Sequence, residues 1–226
     1  MVSNAPVLKR AHHPAQQADR RRHILQTARS LLAEVPYEQL AMARIARQAE
    51  IAKGTVYLYF PAKEAVFVAL ISEEFDACFD ALGHLLDALP APASPDAVAS
   101  AFTRAIGSRP LLLRLIGLLH VVLEHNIDEA TARRFKQSLR DRLIPIAATL
   151  ERLLPQCVPG DGFRLMLNAH ILSVGWQHAA DPAPVIRTVQ AEPPLSMFAV
   201  DFATEFQHTF SAVLRGWTPG GFTHGA

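Results

Sequence analysis

Residues 40–60, LAMARIARQAEIAKGTVYLYF, decide the fold. Met42, Ile45, Ala46 and Ala49 recur at three- and four-residue spacing, which gathers them on one side of a short helix, while Arg44 and Arg47 fall elsewhere on it. A break is expected at Glu50-Ile51. From Lys53 to Phe60 a second short helix should bury Val56 and Phe60 and turn Lys53, Thr55, Tyr57 and Tyr59 outward. Two helices joined by a tight turn, the second offering hydrogen-bond donors, is the construction of a helix-turn-helix.

Immediately upstream, Ile24, Ala28, Leu31, Leu32 and Val35 mark the buried stripe of a helix that ends before Pro36, with Asp19 as its expected cap. Arg20, Arg21 and Arg22 would then occupy its first turn, where cations oppose the helix dipole and an anionic partner would relieve them. Residues 1–18 lack apolar periodicity and are expected to form a mobile basic arm, either a minor-groove element or a solvated tail.

Charge is divided unevenly along the chain. The net charge is only +1, yet the balance is +6 through Lys63 and −5 beyond it. A basic head on an acidic body has the electrostatic sign for nucleic acid in the same part of the chain that carries the helix-turn-helix. Half of the 226 residues are apolar, and they recur with helical rather than alternating spacing, so the chain is expected to be all-α with a sizeable core. No apolar run approaches the ~18 residues of a membrane span, and no signal core follows the amino terminus, so a cytoplasmic protein without membrane contact is expected. Cys78 lies in register with Phe75 and Phe79 and should be a buried apolar residue; Cys157, between Pro155 and Pro159, should be more exposed.

From Arg22 to Leu70 the sequence resembles the amino-terminal domain of the TetR family of transcriptional regulators. The matching elements are Ile24-Leu25-x-x-Ala28, Ile45-Ala46-x-x-Ala49, Gly54-Thr55-Val56-Tyr57-x-Tyr59-Phe60 and Lys63-Glu64. The resemblance implies a three-helix DNA-binding head, residues 19–65, and a helical-bundle body for effector binding and dimerisation, residues 66–217, followed by a disordered tail, 218–226. It also implies a homodimer that binds a double-stranded operator, acts as a repressor, and is released by a small lipophilic or aromatic effector, with no cofactor or metal. Arg44, Lys53 and Thr55 are assigned to base edges or their surroundings, and Arg47, Tyr57, Tyr59 and Lys63 to phosphates. The chain departs from the family at Ala41, Ala52 and Ala62, which replace hydroxyl residues, and at Glu50, which stands where glycine is usual. Losing a hydroxyl cap typically costs ~1 kcal/mol, and a left-handed conformation costs a non-glycine residue roughly 1–2 kcal/mol.

In the body, helices are expected over 63–89, 96–107, 110–125, 127–154 broken or bent at Pro145, 163–178 and 196–217, with a break at 90–95 and a proline-rich loop at 181–194. The segment Leu111 to His125 is apolar around most of its circumference and should lie centrally. His120 and Glu124 can share a face there, beside His125, but the spacing HxxxEH differs from that of the zinc helices. An apolar pocket with a few polar groups is the better reading, with Phe102, Ile116, His120, Glu124, Phe135, Leu139, Arg142, His170 and Trp176 as candidates. Phe202, Phe206 and Phe210 on the last helix, with Phe163, Leu167 and Val174 before it, are candidates for a two-fold helical interface; packing within one subunit is the alternative. No phosphate-cradling glycine loop, nucleophile elbow or carboxylate-histidine metal set argues for an enzyme. The competing reading is a helical small-molecule-binding protein whose head is weakened for DNA.

Overall fold

The computed structural model describes residues 14–218, and all regular structure among them is helical. The α-helices are α1 (Pro14–Glu34), α2 (Met42–Gln48), α3 (Lys53–Tyr59), α4 (Lys63–Asp87), α5 (Pro95–Gly107), α6 (Pro110–Leu118), α7 (Glu129–Leu153), α8 (Asp161–Ala180), α9 (Pro184–Gln190) and α10 (Phe202–Arg215). They divide into two compact units, a head that ends at Val66 and a body that begins at Phe67, so α4 contributes to both.

The head closes on the stripe that its spacing required. Ile24, Leu25, Ala28 and Leu32 of α1 are buried with Ile45 and Ala46 of α2, Val56 of α3 and Phe60 just after it. α1 begins earlier than Asp19: the run Ala15-Gln16-Gln17-Ala18 is helical, as its good helix formers allow, and Pro14 stands at the first helical position, where its missing N–H costs nothing. Arg20 to Arg22 therefore sit a full turn or more inside the helix, and the expected conflict with the dipole disappears. Of the expected basic arm, residues 1–13 lie outside the described residues, as do 219–226 of the expected tail. Tyr37, buried in a 3-10 turn between α1 and α2, donates its hydroxyl to Glu64 Oε1 at 2.9 Å. Burial and that carboxylate hold its phenol far above the usual range.

In the body, α10 packs on α5 and α8, and α7 lies along α8. The Phe102 and Phe210 rings meet edge to face with centroids 4.9 Å apart, and Phe202, Phe206 and Phe210 stack in succession along α10. These three phenylalanines are buried within their own subunit, so the aromatic face of the last helix is core and not a surface for a second copy. Sequence spacing alone could not separate the two, since both destinations bury the same side chains. Gly162 marks the α7–α8 crossing: a Cβ there would stand 2.1 Å from the carbonyl oxygen of Ala147, so only glycine permits the approach.

Four other expectations change. The central helix stops being α-helical at Leu118 and continues as a π-helical turn, Leu119–Leu123, and a 3-10 turn, Glu124–Asn126. α7 is not broken at Pro145; it runs from the Asp128 cap, which accepts from Thr131 N at 2.7 Å, to buried Ile146, Leu150 and Leu153. The segment expected as a loop contains the short helix α9. α10 starts at Phe202, capped by Asp201, whereas Ser196 belongs to a separate 3-10 turn. Among the described residues no single helix is long and apolar enough to cross a membrane.

Candidate nucleic-acid interface and effector cavity

The turn between α2 and α3 departs from ideal in ways the sequence foretold. Ala41 and Ala52 stand at the amino-terminal caps of α2 and α3 without a side-chain hydrogen bond. Glu50 is left-handed at φ 53, the one non-glycine residue with positive φ among those described. Its neighbours fix it there: Ile51 N donates to Ala46 O at 3.0 Å, and the exposed ring of His23 reaches from α1 to bond the Ala49 carbonyl at 3.0 Å. The turn keeps the usual shape, and a non-glycine residue bears the strain.

On α3, Lys53, Gly54, Tyr57 and Leu58 are exposed, while Thr55 and Tyr59 are partly buried. Lys53 Nζ lies 5.9 Å from the Tyr57 ring centroid, so the two outward candidates support one another. Arg47 is exposed on α2 and Arg44 is half-buried. Lys63 is half-buried at the start of α4. Its ammonium sits 3.9 Å from the Tyr37 ring centroid, a cation–π contact inside the head. Sequence reasoning passed over two residues. Leu58 is 82% exposed, an apolar side chain on a face otherwise fit for polar partners. Gly54 has no atom within 4 Å of a built Cβ, so packing inside the head does not require glycine at that point.

The body encloses an apolar cavity of about 360 Å³, within the range of small-molecule sites. Its walls come from α4 (Phe75, Phe79, Leu82), α5 (Phe102, Ile106), α6 and the turn after it (Leu112, Ile116, His120), α7 (Lys136, Leu139, Arg140) and α8 (Phe163, Leu167, His170). Of the expected pocket residues, Phe102, Ile116, His120, Leu139 and His170 line it. Glu124 stands behind His120, and Phe135 packs beside Phe75 with ring centroids 6.5 Å apart. Arg142 is not at the wall: it pairs with Asp80 and lies 3.4 Å from Asp76 on the flank of α4. Trp176 is likewise absent from the lining. The α4 residues Phe75, Phe79 and Leu82 were visible as an apolar stripe, but a stripe does not tell a cavity wall from a filled core.

One polar chain runs along the wall. Lys136 donates to Glu124 Oε1 at 2.6 Å, His120 Nδ1 donates to Glu124 Oε2 at 2.8 Å, and His120 Nε2 meets His170 Nε2 at 2.7 Å. A carboxylate only accepts, so Glu124 fixes the proton on His120 Nδ1, and one proton is shared between the facing Nε2 atoms. Burial pushes the Glu124 carboxyl up, but hydrogen bonds from Lys136 and His120 outweigh it and leave it below its ordinary range. Burial pushes His170 down to about 4, assisted by His120 and Lys136, so its ring is neutral near pH 7. His120 lies in the π-helical turn, and such turns concentrate at functional sites. Among the described residues, no group of three or more His, Cys, Asp or Glu is placed to hold a metal ion. Burial holds the Cys78 thiol up at about 12 and the half-buried Cys157 at about 11, so neither is a ready nucleophile.

α8 also carries an exposed apolar row with regular spacing: Phe163, Leu167 and Ile171, 51%, 48% and 59% exposed. Val174 is half-buried beside it.

Comparison with known proteins follows this division of the chain. Residues 24–70 match the bacterial regulatory proteins of the tetR family, and residues 72–219 match the tetracyclin repressor-like C-terminal domain. The repressor KstR of Rhodococcus jostii is 32% identical over 96 residues, 42% of this chain and 45% of that protein. The chain spans less than half the length of the curated relatives it matches. Two solved structures share the fold: the fatty acid degradation regulator FadR of Bacillus halodurans, with a TM-score of 0.57 and 15% identity over 91% of this chain and 97% of that one, and Thermus thermophilus FadR in complex with lauroyl-CoA, with a TM-score of 0.53 and 19% identity over 91% of this chain and all of that one. With a helix-turn-helix head and a helical body that each match the family's domains, one of them over more than half of its length, the chain belongs to the tetR family of bacterial regulatory proteins.

Proposed function

We propose that the protein is a homodimeric, ligand-responsive transcriptional regulator, a repressor that leaves its operator when a lipophilic small molecule enters the body cavity. The observation that carries the DNA side is the outer face of α3, where Lys53, Gly54, Tyr57 and Leu58 are exposed together at the end of a helix-turn-helix whose core is fully closed. Thr55 and Arg44 would contribute at base edges, and Arg47 and Tyr59 at the backbone. The exposed row on α8 supports a second copy as partner, because a two-fold pair is what sets two recognition helices one DNA turn, ~34–36 Å, apart.

On the ligand side, the cavity is apolar except for one wall, which favours a lipophilic effector. That a protein of the same fold was solved with lauroyl-CoA makes acyl compounds the first to try. An effector that binds better to one body conformation lowers DNA affinity, and DNA lowers effector affinity by the same factor.

Fluorescence anisotropy with labelled duplexes from the DNA flanking its own gene tests this reading. Binding is expected to be specific, with two protomers per site, and to weaken on adding a lipophilic ligand. Binding to random duplex alone would instead favour a small-molecule-binding protein with a weakened head, a reading to which the uncapped α2 and α3 and the strained Glu50 lend weight.

A further inference from the structure

We infer that the cavity takes an anionic amphiphile, with its apolar chain among α4, α5 and α6 and its acid group on α7 between Lys136 and Arg140. This rests on the cavity being the effector site proposed above. Both charged side chains in the lining are cations, Lys136 and Arg140, and no carboxylate lines it. Phe79, Leu82, Phe102, Ile106 and Leu112 offer no polar side-chain group, so the polar end of a ligand buried against them would lose its hydrogen bonds. Ser173 also lines the cavity but gives its hydroxyl proton to the Ala169 carbonyl at 2.7 Å, so that end is drawn to the wall where Lys136, Arg140, His120 and His170 stand.

A second observation extends the wall outward. A shallow groove on α7, lined by Glu129, Arg133, Lys136, Gln137 and Arg140 among others, shares Lys136 and Arg140 with the cavity. Arg133, Lys136 and Arg140 follow at i, i+3 and i+7, so the three cations form one row along the groove. Lys136 and Arg140 keep donors to give. Glu124 takes one of the three ammonium protons of Lys136, and Arg140 pairs with adjacent Asp141, an exposed contact that water screens, whereas Arg133 is already paired with Glu129. An arriving acid gains charge-assisted hydrogen bonds from both, whereas a cationic head meets two like charges and an uncharged one gains nothing from them. The acid is a carboxylate or a phosphate ester, and the shared chemistry is the anion.

Titration calorimetry on the full chain, with four ligands that share a saturated twelve-carbon chain, tests this: dodecanoate, dodecyl phosphate, dodecanol and dodecyltrimethylammonium. Both anions should bind at least about tenfold tighter than dodecanol, and the ammonium most weakly. In the Lys136→Gln/Arg140→Gln variant the anions should fall to the level of dodecanol, whose own affinity stays put. Both side chains are more than half exposed, 57% and 65%, so the variant should keep the parent's melting curve. Arg133→Gln should weaken the anions far less than the double variant does, and a loss as large as in the double variant would place the acid in the outer groove and overturn the assignment. Equal binding of dodecanol and the anions, or an anion preference that survives in the double variant, overturns the assignment while leaving the cavity as an effector site. Failure of all four ligands to bind overturns both.

Discussion

His23 donates its Nε2 proton to the carbonyl oxygen of Ala49 across 3.0 Å, from α1 to the last residue before the left-handed Glu50. A carbonyl can only accept, so the bond fixes that tautomer. It ties down the end of α2 at the point where the chain must reverse, and so helps to hold a backbone conformation that Glu50 does not favour. Glu50→Gly should therefore raise the stability of the head by up to about 1 kcal/mol and tighten operator binding, since a carboxylate also leaves the neighbourhood of the phosphates. His23→Leu should lower stability by about 0.5–1.5 kcal/mol, and by less in the Glu50→Gly background. Thermal melts of the two single variants and the double variant check the coupling; strictly additive shifts would show that the two residues act independently.

Gly54 separates folding from binding. A built Cβ meets no atom within 4 Å, so Gly54→Ala has room and should stabilise α3 by up to about 1 kcal/mol. On the proposed DNA face the same methyl group would hold the backbone off the duplex, and operator affinity should drop at least about tenfold, or 1.4 kcal/mol. Opposite signs in melting temperature and in anisotropy are the expected outcome. A variant that is more stable and binds DNA as before would remove α3 from the interface.

Lys63 and Arg47 should part company, although both were assigned to phosphates on sequence. Lys63 rests on the Tyr37 ring, so Lys63→Ala should lower the melting temperature, with a loss of about 0.5–1 kcal/mol. Arg47 is exposed, and Arg47→Gln should leave the melt alone, weaken binding to specific and random duplex alike, and reduce the salt slope by about 1. Thr55→Ala should relax sequence preference instead. Competition titrations at several salt concentrations distinguish the three.

The difference between Lys63 and Arg47 shows what the sequence could and could not say. In the head, local spacing sufficed: Ile45, Ala46, Val56 and Phe60 lie within a few residues of the turn they close, and the strained position at Glu50 follows from the turn itself. Lys63 meets Tyr37 across a 26-residue separation, and no local pattern encodes such a partner. The body repeats this at larger scale. Phe202, Phe206 and Phe210 carry a clear apolar period, but it records only that they are buried, and the packing of Phe210 on Phe102 decides where. His120 and His170 are 50 residues apart in sequence, and they meet at a π-helical turn where the apolar run had suggested regular helix.

That pair should leave a signature in stability against pH. An unfolded histidine takes up a proton near pH 6.5, whereas burial delays uptake by His170 in the folded protein to about pH 4. Between those values the unfolded state binds more protons, so this group makes stability fall as pH falls through 6.5, levelling only below about 4. The slope from one such group cannot exceed about 1.4 kcal/mol per pH unit, and water at its partly exposed ring reduces it. His120, Glu124 and Lys136 stand around that ring in both proteins, so the informative quantity is a difference. His170→Phe keeps the ring volume and cannot titrate. The stability of the parent relative to that variant should be greatest near pH 7.5 and shrink steadily toward pH 4.5, as followed by denaturant unfolding at each pH. Parallel curves for the two proteins would mean that His170 takes up its proton as readily folded as unfolded, and that the wall beside Lys136 is wetter than its packing indicates.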